Sequence, residues 1–149
     1  MGRHNRTDKL KFALKRYIEA ELCDYPETKE KLEDLRADII YKSSLPEEGS
    51  QINAKNNVSK PTERMAILLI TNKRLEQMEK TVKAIEKVLG MLDSEKMELV
   101  RLKWWERKLT PIGIAGQMHI HEQTVYNWQR DVINLVAIEM GLANAADLL

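Results

Sequence analysis

Apolar residues recur along this chain at steps of three and four, the period of one helix face. No stretch alternates apolar and polar residues between turn signals, so the pattern predicts an all-α fold without strands. From Asp8 to Asp24 the stripe is Leu10, Ala13, Leu14, Tyr17, Ile18 and Leu22, with Thr7 or Asp8 available as N-cap. Tyr25-Pro26 is expected to interrupt this helix, because a residue before proline avoids the helical region. A second helix from Pro26 to Tyr41 would present Leu32, Leu35, Ile39 and Ile40, making residues 1–41 an antiparallel helical hairpin. Residues 42–61, rich in Ser, Asn, Gly and Pro, read as a flexible polar linker.

Residues 62–92 carry the longest helical pattern, about 30 residues and so ~45 Å. Leu68, Thr71, Leu75, Met78, Val82, Ile85, Leu89 and Leu92 fall alternately three and four apart, close to four heptads. Such a stripe serves equally a seam within one chain or a coiled coil between two, so a homodimer through Leu68–Leu92 is one expectation. Asp93 caps a further helix, Ser94 to about Lys108, with Met97, Val100 and Trp104 inward. Trp104 and Trp105 point about 100° apart on a helix, so one belongs in the core and the other at its edge. Gly141 reads as a helix end and 142–149 as a small apolar tail that folds back.

The carboxy-terminal region, residues 93–149, holds the most specific signal. Thr110-Pro111 is a strong helix start, with threonine as cap and proline where its missing N–H costs nothing. Counting from Pro111, Ile114, Met118, Ile120, Val125 and Trp128 occupy the apolar positions of a helix-turn-helix, and Ala115 is small enough for a close helix crossing. The turn position that needs positive φ, usually glycine, is His119. A second helix from His121 to about Met140 would turn His121, Glu122, Gln123, Tyr126, Asn127 and Arg130 outward, where a recognition helix meets base edges. Gln123 and Asn127 suit adenine, Arg130 guanine or a phosphate, and Glu122 cytosine. Thr110, Thr124, Arg107 and Lys108 lie where phosphate contacts are expected, which fix register rather than sequence. Double-stranded DNA is therefore the expected partner.

Composition sharpens this picture. The chain has 149 residues, 43% hydrophobic and 32% charged, with net charge +1. The region 93–149 carries six Lys and Arg against eight Asp and Glu, a net −2 that argues for weak DNA binding by that part alone. Yet 101–130 holds five cations against two anions, and the first sixteen residues add Arg3, Arg6, Lys9, Lys11, Lys15 and Arg16 against Asp8. A basic arm at one end and a reader at the other are both placed to touch DNA. A single Cys23 forms no internal disulfide, the first ten residues show no secretory signal, and no apolar run approaches a membrane span, so the expected location is the cytoplasm. No glycine-rich phosphate loop, no G-x-S-x-G and no His or Cys pair at ligand spacing is present; neither catalysis, cofactor nor metal is expected.

Leu92–Trp128 (LDSEKMELVRLKWWERKLTPIGIAGQMHIHEQTVYNW) resembles the region-four helix-turn-helix of bacterial sigma factors. Glu21–Ile40 (ELCDYPETKEKLEDLRADII), followed by a polar linker, a long helix and the reader, resembles the RinA/ArpU group of phage late-gene transcriptional activators. The resemblance implies a phage or prophage activator in a bacterial host cell, binding upstream of the packaging and structural genes and contacting RNA polymerase. It implies no catalytic residues and no cofactor. Two other readings fit the same helices: a terminase small subunit that marks packaging DNA, and a helical adaptor that binds only proteins.

Overall fold

The computed structural model describes residues 4–44 and 60–143, with side chains for 11–41 and 63–143. Among these residues every regular element is helical, and the fold is all-α. Helix α1 spans His4–Ser44, α2 Lys60–Met91, α3 Ser94–Val100, α4 Pro111–Met118 and α5 Glu122–Glu139. Between α3 and α4 the chain makes a wide π-helical turn, Arg101–Glu106. Of the linker expected at 42–61, residues 42–44 and 60–61 belong to α1 and α2, and 45–59 lie outside the described residues. Residues 144–149 of the expected tail also lie outside them.

The break expected at Tyr25-Pro26 does not occur; Pro26 sits inside one helix of 41 residues. Proline lacks the N–H that would close on the carbonyl four residues back, so the Leu22 carbonyl is deprived of its helical donor. Trp105 supplies the replacement: its indole Nε1 donates to the Leu22 oxygen at 3.1 Å. The same indole stacks on Tyr25, with ring centroids 5.9 Å apart and planes at 24°. Pro26 itself is exposed, and it is tolerated because another element pairs the carbonyl that it leaves open. The hairpin of the fold is consequently α1 against α2, not two halves of 1–41. Tyr25 donates to Glu86 Oε1 at 3.0 Å, Lys29 pairs with Glu86 at 3.1 Å, and Arg36 pairs with Glu79 at 2.8 Å. Rising positions on α1 thus meet falling positions on α2, an antiparallel arrangement.

The helix expected to run from Ser94 to Lys108 is α-helical only to Val100. Beyond it the Arg107 N–H reaches back five residues to the Leu102 carbonyl at 3.2 Å, and Arg107 itself turns left-handed at φ 53°. This wider turn carries both tryptophans, Trp104 at 2% exposure in the core and Trp105 half-buried against α1. Arg101 ties the turn to the preceding helix by pairing with Glu98 and Glu106.

Two apolar clusters result. The larger joins Ile18, Leu22 and Tyr25 of α1 and Val82, Ile85 and Val88 of α2 to Trp104 and to Val132, Ile133 and Val136 of α5. The smaller joins Leu99 and Leu102 to Ile114, Ala115 and Val125. Helix α5 therefore serves one cluster with its first turn and the other with its carboxy-terminal half. The heptad stripe of α2 divides likewise. Val82 and Ile85 are buried and Leu75, Met78, Leu89 and Leu92 pack against the larger cluster, whereas Leu68 is exposed.

Trp105→Phe preserves a ring beside Tyr25 but leaves the Leu22 carbonyl unpaired, and should cost about 1–3 kcal/mol in urea unfolding. In a Pro26→Ala background the N–H of residue 26 returns to that carbonyl, so the same substitution should cost less. A cost identical in both backgrounds would show that repair of the proline gap is not what Trp105 contributes.

Candidate nucleic-acid interface

Local chemistry sets the α4–turn–α5 geometry. Thr110 is extended (φ −73°, ψ 164°) and its Oγ1 accepts the Gly113 N–H at 3.2 Å, with Pro111 opening α4. The helix stops at His119, which is left-handed at φ 57°, and the Ile120 N–H closes on the Ala115 carbonyl at 3.0 Å. The Ala115 carbonyl thus accepts from both the His119 and the Ile120 N–H, which tightens the left-handed end of the helix. His121 then caps α5 in extended conformation without a side-chain hydrogen bond. Ile114, Ala115 and Val125 close the angle between the two helices. At the far end Gly141 is left-handed (φ 71°), and the N–H groups of Gly141 and Leu142 return to Ile138 and Ala137.

On the outer side of α5, Gln123 Nε2 donates to Asn127 Oδ1 at 3.1 Å and Tyr126 Oη donates to Glu122 Oε1 at 3.3 Å. Both pairs are one helical turn apart, so each holds its partner's rotamer on the exposed face. His121, Glu122, Gln123 and Arg130 are exposed, Tyr126 is 46% exposed, and Thr124 and Asn127 are half-buried. Gln123, Tyr126, Asn127 and Arg130 come together along one groove whose other wall is α1.

The remaining sequence-derived site residues are not gathered there. Thr110 is engaged in capping α4. Arg107 reaches Cys23 of α1, where burial pushes the thiol up and the guanidinium partly opposes that rise. Lys108 is exposed on the segment before α4. Conversely, the groove includes Lys11, Lys15, Gln129 and Asn134, none of which the sequence pattern singled out as a reader. The signal for the lysines was available: Lys11 and Lys15 share a face with Leu14 and Ile18, so whatever buries those apolar residues acquires the lysines as a rim. Gln129 lies at a core position of α5, 6% exposed, and its Nε2 has no partner among the described residues.

Among the described residues no group of three or more His, Cys, Asp and Glu could hold a metal ion, and no helix is long and apolar enough to cross a membrane. The fold and this face define an all-helical protein that presents a polar surface on the second helix of a tightly turned pair. Residues 7–137 match the family described as "Protein of unknown function (DUF722)", and the chain belongs to that family. It is also similar to the transcriptional activator rinA of Staphylococcus phage phi11, at 27% identity over 135 residues that cover 89% of this chain and 94% of that protein. The relative is of the RinA kind that Glu21–Ile40 and the order of helices resemble. No solved structure matches.

Left-handed backbone disfavours any residue with a Cβ, by about 1–2 kcal/mol, and glycine escapes this. His119→Gly should therefore raise stability by about 1 kcal/mol in thermal unfolding, and His119→Val should lower it by at least as much.

Proposed function

We propose that the chain is a sequence-specific double-stranded-DNA-binding regulator of transcription, encoded by a phage or prophage and acting in the bacterial cytoplasm. The observation that carries this reading is the exposed Gln123–Asn127–Arg130 face of α5, set at an angle by a capped α4 and a left-handed turn, as in a sigma-like helix-turn-helix. The Gln123–Asn127 hydrogen bond leaves one carbonyl oxygen and one NH2 group free, the complement of the donor and acceptor that adenine shows in the major groove. Arg130, one turn further along, suits guanine or the flanking phosphate. Similarity to a phage transcriptional activator supports the regulatory role, and activation of late packaging and structural genes through contact with RNA polymerase is the form we propose. Selection of duplexes from a random pool should recover a defined motif, bound with a steep salt dependence. Arg130→Ala should weaken binding to it by about 1–3 kcal/mol and relax preference at one base pair. Absence of any enrichment at low salt would overturn the reading in favour of a protein-binding module.

The protein acts, in this proposal, as a homodimer joined at the amino-terminal end of α2. Arg36 meets Glu79, and α1 ends eight residues after Arg36, so α1 stops level with about Thr71. Beyond that point α2 carries Met65, Ile67, Leu68, Leu69 and Ile70 at 50–67% exposure. Together these offer roughly 500 Å² of apolar surface, at the upper end of what a monomer's largest patch shows. Antiparallel pairing centred on Leu68 sets each Glu63 opposite the other copy's Lys73. Light scattering should find a dimer at micromolar concentration, and Ile67→Lys with Ile70→Lys should give a folded monomer. A monomeric wild-type chain would overturn this arrangement.

A further inference from the structure

The groove beside α5 has a second wall, and its chemistry is that of a polyanion site. Leu14 is half-buried and Ile18 fully buried against the larger cluster, so this part of α1 is held against α5 rather than carried on a free arm. Lys11 and Lys15 stand one turn apart on the rim, facing Gln123, Asn127 and Arg130 across an open groove of about 410 Å³. Three of the lining residues are cationic and none is acidic. No carboxylate among the described residues lies within ion-pair distance of Lys11, Lys15 or Arg130. Beneath them sits the buried Gln129 amide, whose nitrogen is unpartnered.

The direction of the two helices adds to this. The end of α5 is tied to α2 by Glu139–Lys87 at 3.0 Å, next to the Glu86 that binds Tyr25 and Lys29 of α1. Ile18 shares the core with Val132 and Val136, and Lys11 shares the groove with Gln123. Helices α1 and α5 thus run the same way, and the amino-terminal turns of α1 lie beside the end of α5 that would enter a major groove.

Resting on the DNA-reading assignment above, we infer that α1 is a second DNA-contacting element, with Lys11 and Lys15 holding the phosphate backbone alongside the bases that α5 reads. This supplies the cationic footprint that residues 93–149, at net −2, lack. Phosphate contacts fix position without reading sequence, so the two walls have separable signatures.

The test uses the full-length chain and the duplex recovered by selection. Lys11→Ala with Lys15→Ala should weaken binding about tenfold at low salt and reduce the slope of log affinity against log salt by about two, without altering the preferred sequence. Lys11→Arg with Lys15→Arg should restore the slope. Both lysines are exposed, and circular dichroism checks that the helices persist. An unchanged slope in the alanine pair, with Arg130→Ala still weakening binding, would overturn the role of α1 while leaving the reader intact. A changed sequence preference in the alanine pair would also overturn it, since the lysines would then read bases. If the unmodified chain enriches no duplex at all, the DNA-reading assignment fails and this inference with it.

Discussion

A single hydrogen bond, from the Trp105 indole to the Leu22 carbonyl, is what allows the rest of the molecule to be assembled as it is. Proline inside a helix removes a donor and crowds the carbonyl four residues back, at about 3 kcal/mol or more. Here that carbonyl is claimed by the π-helical turn that connects α3 to α4, so the defect becomes a joint between the hairpin and the carboxy-terminal helices. The stacked Tyr25 ring and its hydrogen bond to Glu86 extend the joint to α2. One short stretch of α1 is thereby fixed to two other elements at the point where it would otherwise break.

Charge is distributed around this scaffold with a consistent result. Glu79, Glu86, Glu98, Glu106, Asp131 and Glu139 are each within ion-pair distance of a lysine or arginine. Exposed pairs of this kind add little stability, generally less than about 1 kcal/mol apiece. Their effect is spatial instead. They commit these carboxylates to the flanks, whereas Lys11, Lys15 and Arg130 of the α1–α5 groove have no acidic partner among the described residues. A net charge taken over residues 93–149 hides this, because the decisive cations come from the other end of the chain.

Helical periodicity, the caps at Asp93 and Thr110, and the left-handed positions at His119 and Gly141 were legible because each depends on a few adjacent residues. Burial of Trp104 and the half-burial of Trp105 followed from their angular separation. The continuity of α1 was not legible, since the donor that replaces the missing Pro26 N–H is Trp105, 83 positions beyond the Leu22 carbonyl that it pairs. The π-helical turn was equally hidden, because the apolar spacing from Ser94 to Lys108 reads as one continuous α-helix. Among the candidate site residues, Gln123, Tyr126, Asn127 and Arg130 needed only the pitch of one helix to be placed on one face. Arg107 lies outside the α1–α5 groove, and sequence neighbours do not reveal that its guanidinium reaches Cys23. Lys11 and Lys15 belong to the groove through the packing of Leu14 and Ile18, a tertiary fact.

The unbroken length of α1 has a geometric consequence. From Lys15 to Ser44 it is a rod of about 44 Å, running from the groove to the level where the apolar end of α2 emerges. A hairpin with a flexible centre would let that distance vary; a continuous helix does not. Two copies joined end to end at Met65–Ile70 would form a caliper whose jaws stand roughly 90 Å apart, or about 26 base pairs at 3.4 Å each. Such a caliper would select target sites by the interval between two half-sites, two to three helical turns, as much as by the bases within either one.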